Sequence, residues 1–453
     1  MSAALALPEL PETQVQPQPA GLRSNDVVLY GIAALLLFCP LAFGAVEPWA
    51  VFILQSVTTI LFMVWMVRQM RAPETTVLWT PVFPPMLAFL ALICIQLLPG
   101  VSAYRHATYS GLLLYLAYGL ACFLITQTLT RTTHVRRLAT AAAIYGTGMA
   151  MFAVLQSLSS TTKLYWLRTP RFGGWIYGPY VNHNHYAGLM EMLAPVPLVF
   201  AFSRYARGKE RWAAASAAAF MGATIFLSGS RGGMIAFGVQ IVIFLCFLFR
   251  EQTAGRAAFL MTTFVVVSLA SIAWIGGSDV TARLSTISAT KHSELAGDIR
   301  FKINRDTLRM FEHRPILGWG LGTFETVYPQ FRSFYTNFLV DKAHNDYLQL
   351  LAETGVVGFA LMIWFLVSSF RTALPKIRNW PSNVNGAVAL AALVGISGIL
   401  VHSLVDFNLE IPANALLFYV LCAVTAMEPR FRNSRKSAKE KDPLPENTFV
   451  QQG

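Results

Sequence analysis

Charge is scarce in this sequence. Only 13% of its 453 residues are Asp, Glu, Lys or Arg, about half the share usual in a soluble domain. Hydrophobic residues reach 55%, and the mean hydropathy is +0.50. A water-soluble globular domain and a disordered chain are both excluded by that balance. Cysteine is sparse too. Cys39, Cys94, Cys122, Cys246 and Cys422 lie in apolar stretches, odd in number and without a CxxC spacing, so neither a disulfide framework nor a zinc site is expected. No internal repeat of the transporter kind is visible. The opening residues lack the basic start and apolar run of a cleavable leader. Polar and Pro-rich, residues 1–26 read as a disordered cytoplasmic tail, with the first span acting as an uncleaved anchor.

Apolar runs, in contrast, are abundant. A membrane-crossing helix needs about 20 mostly apolar residues. Twelve spans are expected, near 27–45, 49–67, 81–98, 109–128, 138–158, 186–202, 212–228, 233–249, 257–275, 347–369, 386–406 and 411–427. Backbone in lipid must satisfy its own hydrogen bonds, and continuous rather than alternating apolar runs select helices over a barrel. The fold class is therefore an all-α polytopic membrane protein.

The formal charge of +12 reports orientation rather than nucleic-acid binding, because the basic residues sit in loops and a tail. Arg68 and Arg71, Arg131, Arg136 and Arg137, Arg204 to Arg211, Arg250 and Arg256, Arg371 to Arg378, and the tail from Arg430 all fall on one side. Arg105, Lys163, Arg168, Arg171 and Arg231 fall in short loops on the other. Both termini are then cytoplasmic. Spans one to nine occupy 27–275, a large outer loop 276–346, spans ten to twelve 347–427, and a basic cytoplasmic tail 428–453. A second outer segment lies near 159–185.

Polar residues gather at the outer interface. Arg231, in LSGSRGGM, occupies a tight turn among Gly and Ser, where a guanidinium and exposed N–H groups suit a phosphate or diphosphate; an Arg at a span end can also snorkel. In the long loop, DIRFKINRDTLRMFEHRPILGWGLGTF contains an amphipathic helix, with Ile299, Ile303 and Met310 or Phe311 on one face and Lys302, Arg305 and Arg309 on another. That basic face either lies on anionic lipid or points arginines into a site. Arg314 before Pro315 marks a helix end. GWGLG is not GxGxxG and follows no strand, so dinucleotide binding is rejected.

Where the loop re-enters, DKAHNDYLQLLAETGVVG places His344 at the interface, with Asp341 and Asp346 nearby as carboxylates that would support a general base. Asn345, Gln349 and Glu353 continue as a polar stripe that must face protein or a cavity. In GPYVNHNHYAGLMEM, His183 and His185 are poorly spaced for a metal; with Trp175 and Tyr180 they suit sugar contacts, or they are interfacial aromatics and caps. Glu191 should face protein or water. VHSLVDFNLEIPAN brings His402, Asp406 and Asn408 to the last turn, for site lining or for packing. No Ser has a nucleophile-elbow setting.

Taken together, SGSRGG around Arg231, R(x)13-RPILGWGLGTF from Arg300 and HNDYLQLLAETGVVG from His344 resemble the O-antigen ligase and polymerase superfamily of bacterial envelope enzymes over about 225–370, and outside that stretch NHNHYAGL and HSLVDFNLEIPAN also look like members acting on polysaccharides. The resemblance implies a GT-C-like membrane fold whose large, partly helical periplasmic loop lies between spans nine and ten. It implies a metal-independent glycosyltransferase of the inner membrane, without cofactor, acting in lipopolysaccharide biosynthesis. The donor would be a glycan on undecaprenyl diphosphate, the acceptor a glycan or lipid A core, at the periplasmic face. Carried over, His344 is catalytic, and Arg231 and Arg300 bind the diphosphate. Arg305, Arg309, Asn345, Tyr347, Gln349, His183, His185 and Asp406 are candidate site-lining residues. A polymerase joining lipid-linked repeat units is the alternative within the superfamily. A polysaccharide transporter or flippase ranks lower, because it should carry ionisable groups at mid-membrane and broken helices.

Overall fold

The computed structural model describes residues 20–73, 75, 77–159, 163–170, 174–251, 255, 262, 266, 297–336 and 339–427. Among these residues it is all-helical, with no β-strand beyond two isolated bridges, Leu164 to Arg168 and Tyr177 to Tyr180. In chain order the helices are α1 (Ala20–Leu41), α2 (Pro48–Arg71), α3 (Phe83–Gln96), α4 (Arg105–Thr128), α5 (Thr132–Leu158), α6 (His183–Leu193), α7 (Pro195–Phe202), α8 (Lys209–Leu227) and α9 (Arg231–Glu251). After the long loop begins come α10 (Gly297–His313), the short α11 (Phe324–Val327), α12 (Asp346–Ile377), α13 (Val384–His402) and α14 (Pro412–Ala426).

Seven described helical segments are long and apolar enough to cross a membrane, and three shorter apolar helices, Asp26–Leu41, Phe83–Gln96 and Pro412–Ala426, accompany them. The chain is therefore a multi-pass membrane protein. The expected ninth span, the loop up to 296 and the carboxyl tail from 428 lie outside the described residues, isolated positions apart. So does the expected amino tail as far as residue 19; residues 20–26 belong to α1.

Prolines set several helix starts. Pro48, Pro84 and Pro412 stand at first-turn positions, where the missing N–H has no helical partner to lose. Pro195 separates α6 from α7. The centre of the bundle is α13. Its sequence VNGAVALAALVGISGILVH carries small residues on every face, so α6, α7, α9, α12 and α14 all pack against it. Gly398 is filled by the Gln240 side chain, and Gly395 lies against the Met192 backbone.

The re-entry helix α12 is bent at Gly355, whose φ is 66°. The bend frees backbone groups of 352–357, and the loop segment 315–320 takes them. Trp319 N–H donates to Ala352 O, Gly320 N–H to Glu353 O, and Val356 N–H to Pro315 O. Gly318, Gly320 and Gly322 all have positive φ there, which explains the glycine spacing of GWGLG. The Glu353 carboxylate completes the joint by accepting the Gly322 and Phe324 N–H groups at 2.7 and 3.0 Å. Gln96 of α3 ties in as well, donating to Leu317 O and Glu353 O and accepting from Leu321 N–H.

A Cβ at Gly355 would lie 2.1 Å from Ile316 O, whereas one at Gly148 in α5 meets nothing within 4 Å. Gly355→Ala should therefore lower the thermal midpoint in detergent by about 5 °C or more, while Gly148→Ala leaves it unchanged or raises it. Equal effects of the two substitutions would contradict this joint.

Candidate active site

Four segments distant in sequence meet at one end of the bundle, around the turn that follows α13. The turn is held first by α13 itself, since His402 O accepts the N–H groups of Val405 and Asp406 at 3.0 and 3.2 Å. It is held next by the re-entry loop. Asp346 Oδ2 accepts Ser403 Oγ–H at 2.6 Å and Leu409 N–H at 3.1 Å, and Asp346 N–H donates to Ser403 O at 3.0 Å. Asn345 caps α12 through its Oδ1 and donates from Nδ2 to Leu404 O at 2.9 Å. Tyr347 Oη–H donates to Leu400 O at 2.6 Å, and Lys342 pairs with Glu410 at 2.6 Å. Gln349 closes the loop from within by accepting Ala343 N–H.

This zipper presents His344 to Asp406. Asp406 is 1% exposed, and its Oδ1 lies 3.5 Å from His344 Nδ1. At that length the contact is looser than a well-formed hydrogen bond. Asp406 Oδ2 accepts from Asn184 Nδ2 at 2.5 Å, and Oδ1 accepts the Phe407 N–H at 2.8 Å. Arg300, reaching in from α10, donates Nη1–H to Val405 O at 2.9 Å and brings Nη2 to 4.0 Å from Asp406. Burial alone would raise the Asp406 carboxyl, but the His344 contact and the charges of His185 and Arg300 outweigh it and hold the carboxyl well below the usual carboxylate range.

His344 itself has a backbone φ of 53°, a left-handed conformation that a non-glycine residue keeps only where its surroundings enforce it. Its ring is 13% exposed. It packs edge-on against Phe407 with centroids 4.8 Å apart, and His185 does the same, also at 4.8 Å. Both imidazoles thus pack against the one Phe ring that follows Asp406.

Arg231 is the first residue of α9 and is exposed. Its turn abuts the same 402–407 segment. A Cβ on Gly232 would meet Val405 Cγ2 at 2.9 Å and the His402 ring at 2.7 Å. The structure therefore brings Arg231, Arg300, His344, His185 and Asp406 to one locality. His183 is set back and buried, its ring 4.7 Å from Trp175. Arg305 and Arg309 are not brought in: Arg305 bonds Ser333 Oγ, and Arg309 pairs with Asp306 on its own helix. Asn345, Tyr347 and Gln349 build the loop that carries His344.

Three features were not legible in the sequence. Asp346, two residues after His344 in the chain, turns into the first helical turn and binds the 403–409 turn, so the carboxylate facing His344 is Asp406. Phe407 also escaped notice, since nothing in VDFNLE marks an aromatic as a spacer. Asn184 lay within the NHNHYAGL motif but carried no individual signal. Among the described residues no group of three or more His, Cys, Asp or Glu side chains is arranged to hold a metal ion.

The fold and site define a multi-pass helical membrane protein with a carboxylate, imidazoles and guanidinium groups gathered at one end. Residues 216–363 match the family model described as O-antigen ligase. Arg231, Arg300 and His344 lie inside the part of the chain that is similar to this family, and Asp406 lies beyond its end. No curated protein matches the chain.

A depressed carboxyl contributes stability that is present above its unfolded value, about 3.9, and is lost as pH falls through the folded value. The thermal midpoint of Asp406→Asn should therefore lie below that of the wild type at pH 7, and the gap should shrink below about pH 4. A gap constant from pH 7 to pH 3 would contradict the assignment of Asp406 as the buried ionised partner.

Proposed function

We propose that the protein is an O-antigen ligase-like glycosyltransferase of the bacterial inner membrane, with both termini cytoplasmic. It moves a glycan from undecaprenyl diphosphate to an acceptor hydroxyl, such as one on lipid A core, at the periplasmic face. The observation that carries this reading is the convergence of His344, Asp406 and Arg300 on one turn, with the Arg231 turn against the same residues.

With Nδ1 turned toward Asp406, the imidazole keeps Nε2 to take the proton from the acceptor hydroxyl, in the manner of a carboxylate-oriented general base. The acceptor oxygen attacks the anomeric carbon as the bond to the diphosphate oxygen breaks. The bonding pair leaves with the diphosphate, and the configuration at that carbon inverts. Arg231 and Arg300 are assigned the growing charge on the leaving group, which two guanidiniums can stabilise with no metal required. The proton on His344 then passes to solvent. Neither a cofactor nor nucleic acid enters the scheme.

The test uses purified protein in detergent with a labelled undecaprenyl-diphosphate oligosaccharide, with and without lipid A core, and without added metal. Label on lipid A core, only when it is present, is the expected result. His344→Ala should lower transfer by about 100-fold or more, and Arg231→Ala and Arg300→Ala by about 100- to 1,000-fold, at unchanged protein levels. Retained activity in His344→Ala would overturn the mechanism. A ladder of longer lipid-linked chains would instead identify a polymerase, and no transfer to any acceptor would favour a transporter.

A further inference from the structure

Beneath the site lies a charged pair that the mechanism above does not use. Glu191, two turns into α6, is fully buried, and its Oε1 lies 2.8 Å from Nδ1 of His402, at the end of α13. Taking two charges out of water is expensive, and their attraction seldom returns more than the loss. Such a pair among apolar helices therefore points to a geometric role.

The surroundings of His402 show what that role is. On one side its Nε2 is 3.5 Å from Ser230 Oγ. Ser230 caps α9, its Oγ accepting the Gly233 N–H at 3.1 Å, so it sets the first turn of the helix that Arg231 opens. Gly232 lies close against the imidazole, where a Cβ would come within 2.7 Å of Cδ2, and a Cβ on Gly233 would meet Glu191 Oε1 at 3.2 Å. Further along α9, Gln240 donates to Glu191 O and Val394 O at 2.7 and 3.0 Å, tying the three helices a second time. On its other side, His402 O holds the N–H groups of Val405 and Asp406. One residue thus joins the cap of the Arg231 helix to the turn that carries Asp406.

We propose that the Glu191–His402 pair is a positioning unit that fixes the spacing between Arg231 and the Asp406–His344 pair, so that a diphosphate held by the arginine presents its sugar to the base. The proposal rests on the reading of Arg231 as the donor-anion contact.

Removing one partner alone strands a buried charge and is expected to destabilise the fold. The decisive variant is therefore the apolar double replacement Glu191→Leu with His402→Phe, which keeps the interior filled but breaks the link to Ser230. Its expected signature is a thermal midpoint near that of the wild type, a donor KM raised about tenfold, equivalent to about 1.4 kcal/mol, and an unchanged acceptor KM. Ser230→Ala should shift the donor KM in the same direction. Amide hydrogen exchange of the 229–234 turn should quicken in both variants while the rest of the chain is unaffected. A merely structural pair would give a double variant with restored midpoint, wild-type donor KM and unchanged exchange, and that result overturns the proposal. If Arg231→Ala itself leaves the donor KM unchanged, the donor reading fails instead. The exchange comparison then still decides whether the pair holds the turn.

Discussion

A carboxylate removed from water must be surrounded by donors or positive charge, because an isolated buried ion is prohibitively unfavourable. Asp406 is that carboxylate, and the arrangement of the site depends on it. Its partners come from α6 (Asn184), from α10 (Arg300), from the re-entry loop (His344) and from its own turn (Phe407 N–H). No two of the first three are close in sequence. Satisfying one side chain therefore requires the first half of the bundle, the large loop and the last helix pair to meet at a single point, which is also what a reaction with a base and anion-binding groups requires.

That point is made rigid by hydrogen bonds rather than by apolar packing alone. The loop before α12 is zipped to the 400–410 segment by Lys342, Asn345, Asp346 and Tyr347, and the left-handed backbone of His344 is held inside that zipper. Lower down, the Gly355 bend and the 315–320 segment share backbone hydrogen bonds, with Glu353 closing the joint. The result is a loop whose helix α10 and whose re-entry point are fixed relative to each other. Arg300 and His344 accordingly approach Asp406 from defined directions. Groups held in place before the reaction begins stabilise developing charge without further reorganisation.

Periodicity and composition made the helical class legible, because long apolar runs with few charges have one structural solution in lipid. Arg231 stood out as a charge where an uncharged turn would have sufficed, and of the Asn345, Gln349 and Glu353 stripe Gln349 and Glu353 are buried while Asn345 is half-buried. The helix of the long loop was visible from Ile299, Ile303 and Met310, of which Ile303 and Met310 are buried in its small core. What the sequence hid is pairing across long separations. Asp346 lies only two residues after His344 in the chain, yet the helix start turns it away and Asp406 takes its place. Glu191 and His402 lie in different helices far apart in sequence, so neither spacing nor charge pattern connected them.

The central claim is that Arg231, Arg300 and His344 serve one ligand. Electron cryomicroscopy of the protein in lipid nanodiscs with an undecaprenyl-diphosphate oligosaccharide tests it most directly. The account predicts diphosphate density between the Arg231 and Arg300 guanidiniums, with the first sugar beside the His344 ring. Density for the diphosphate at any other place, with the two arginines left in contact with solvent, would contradict it.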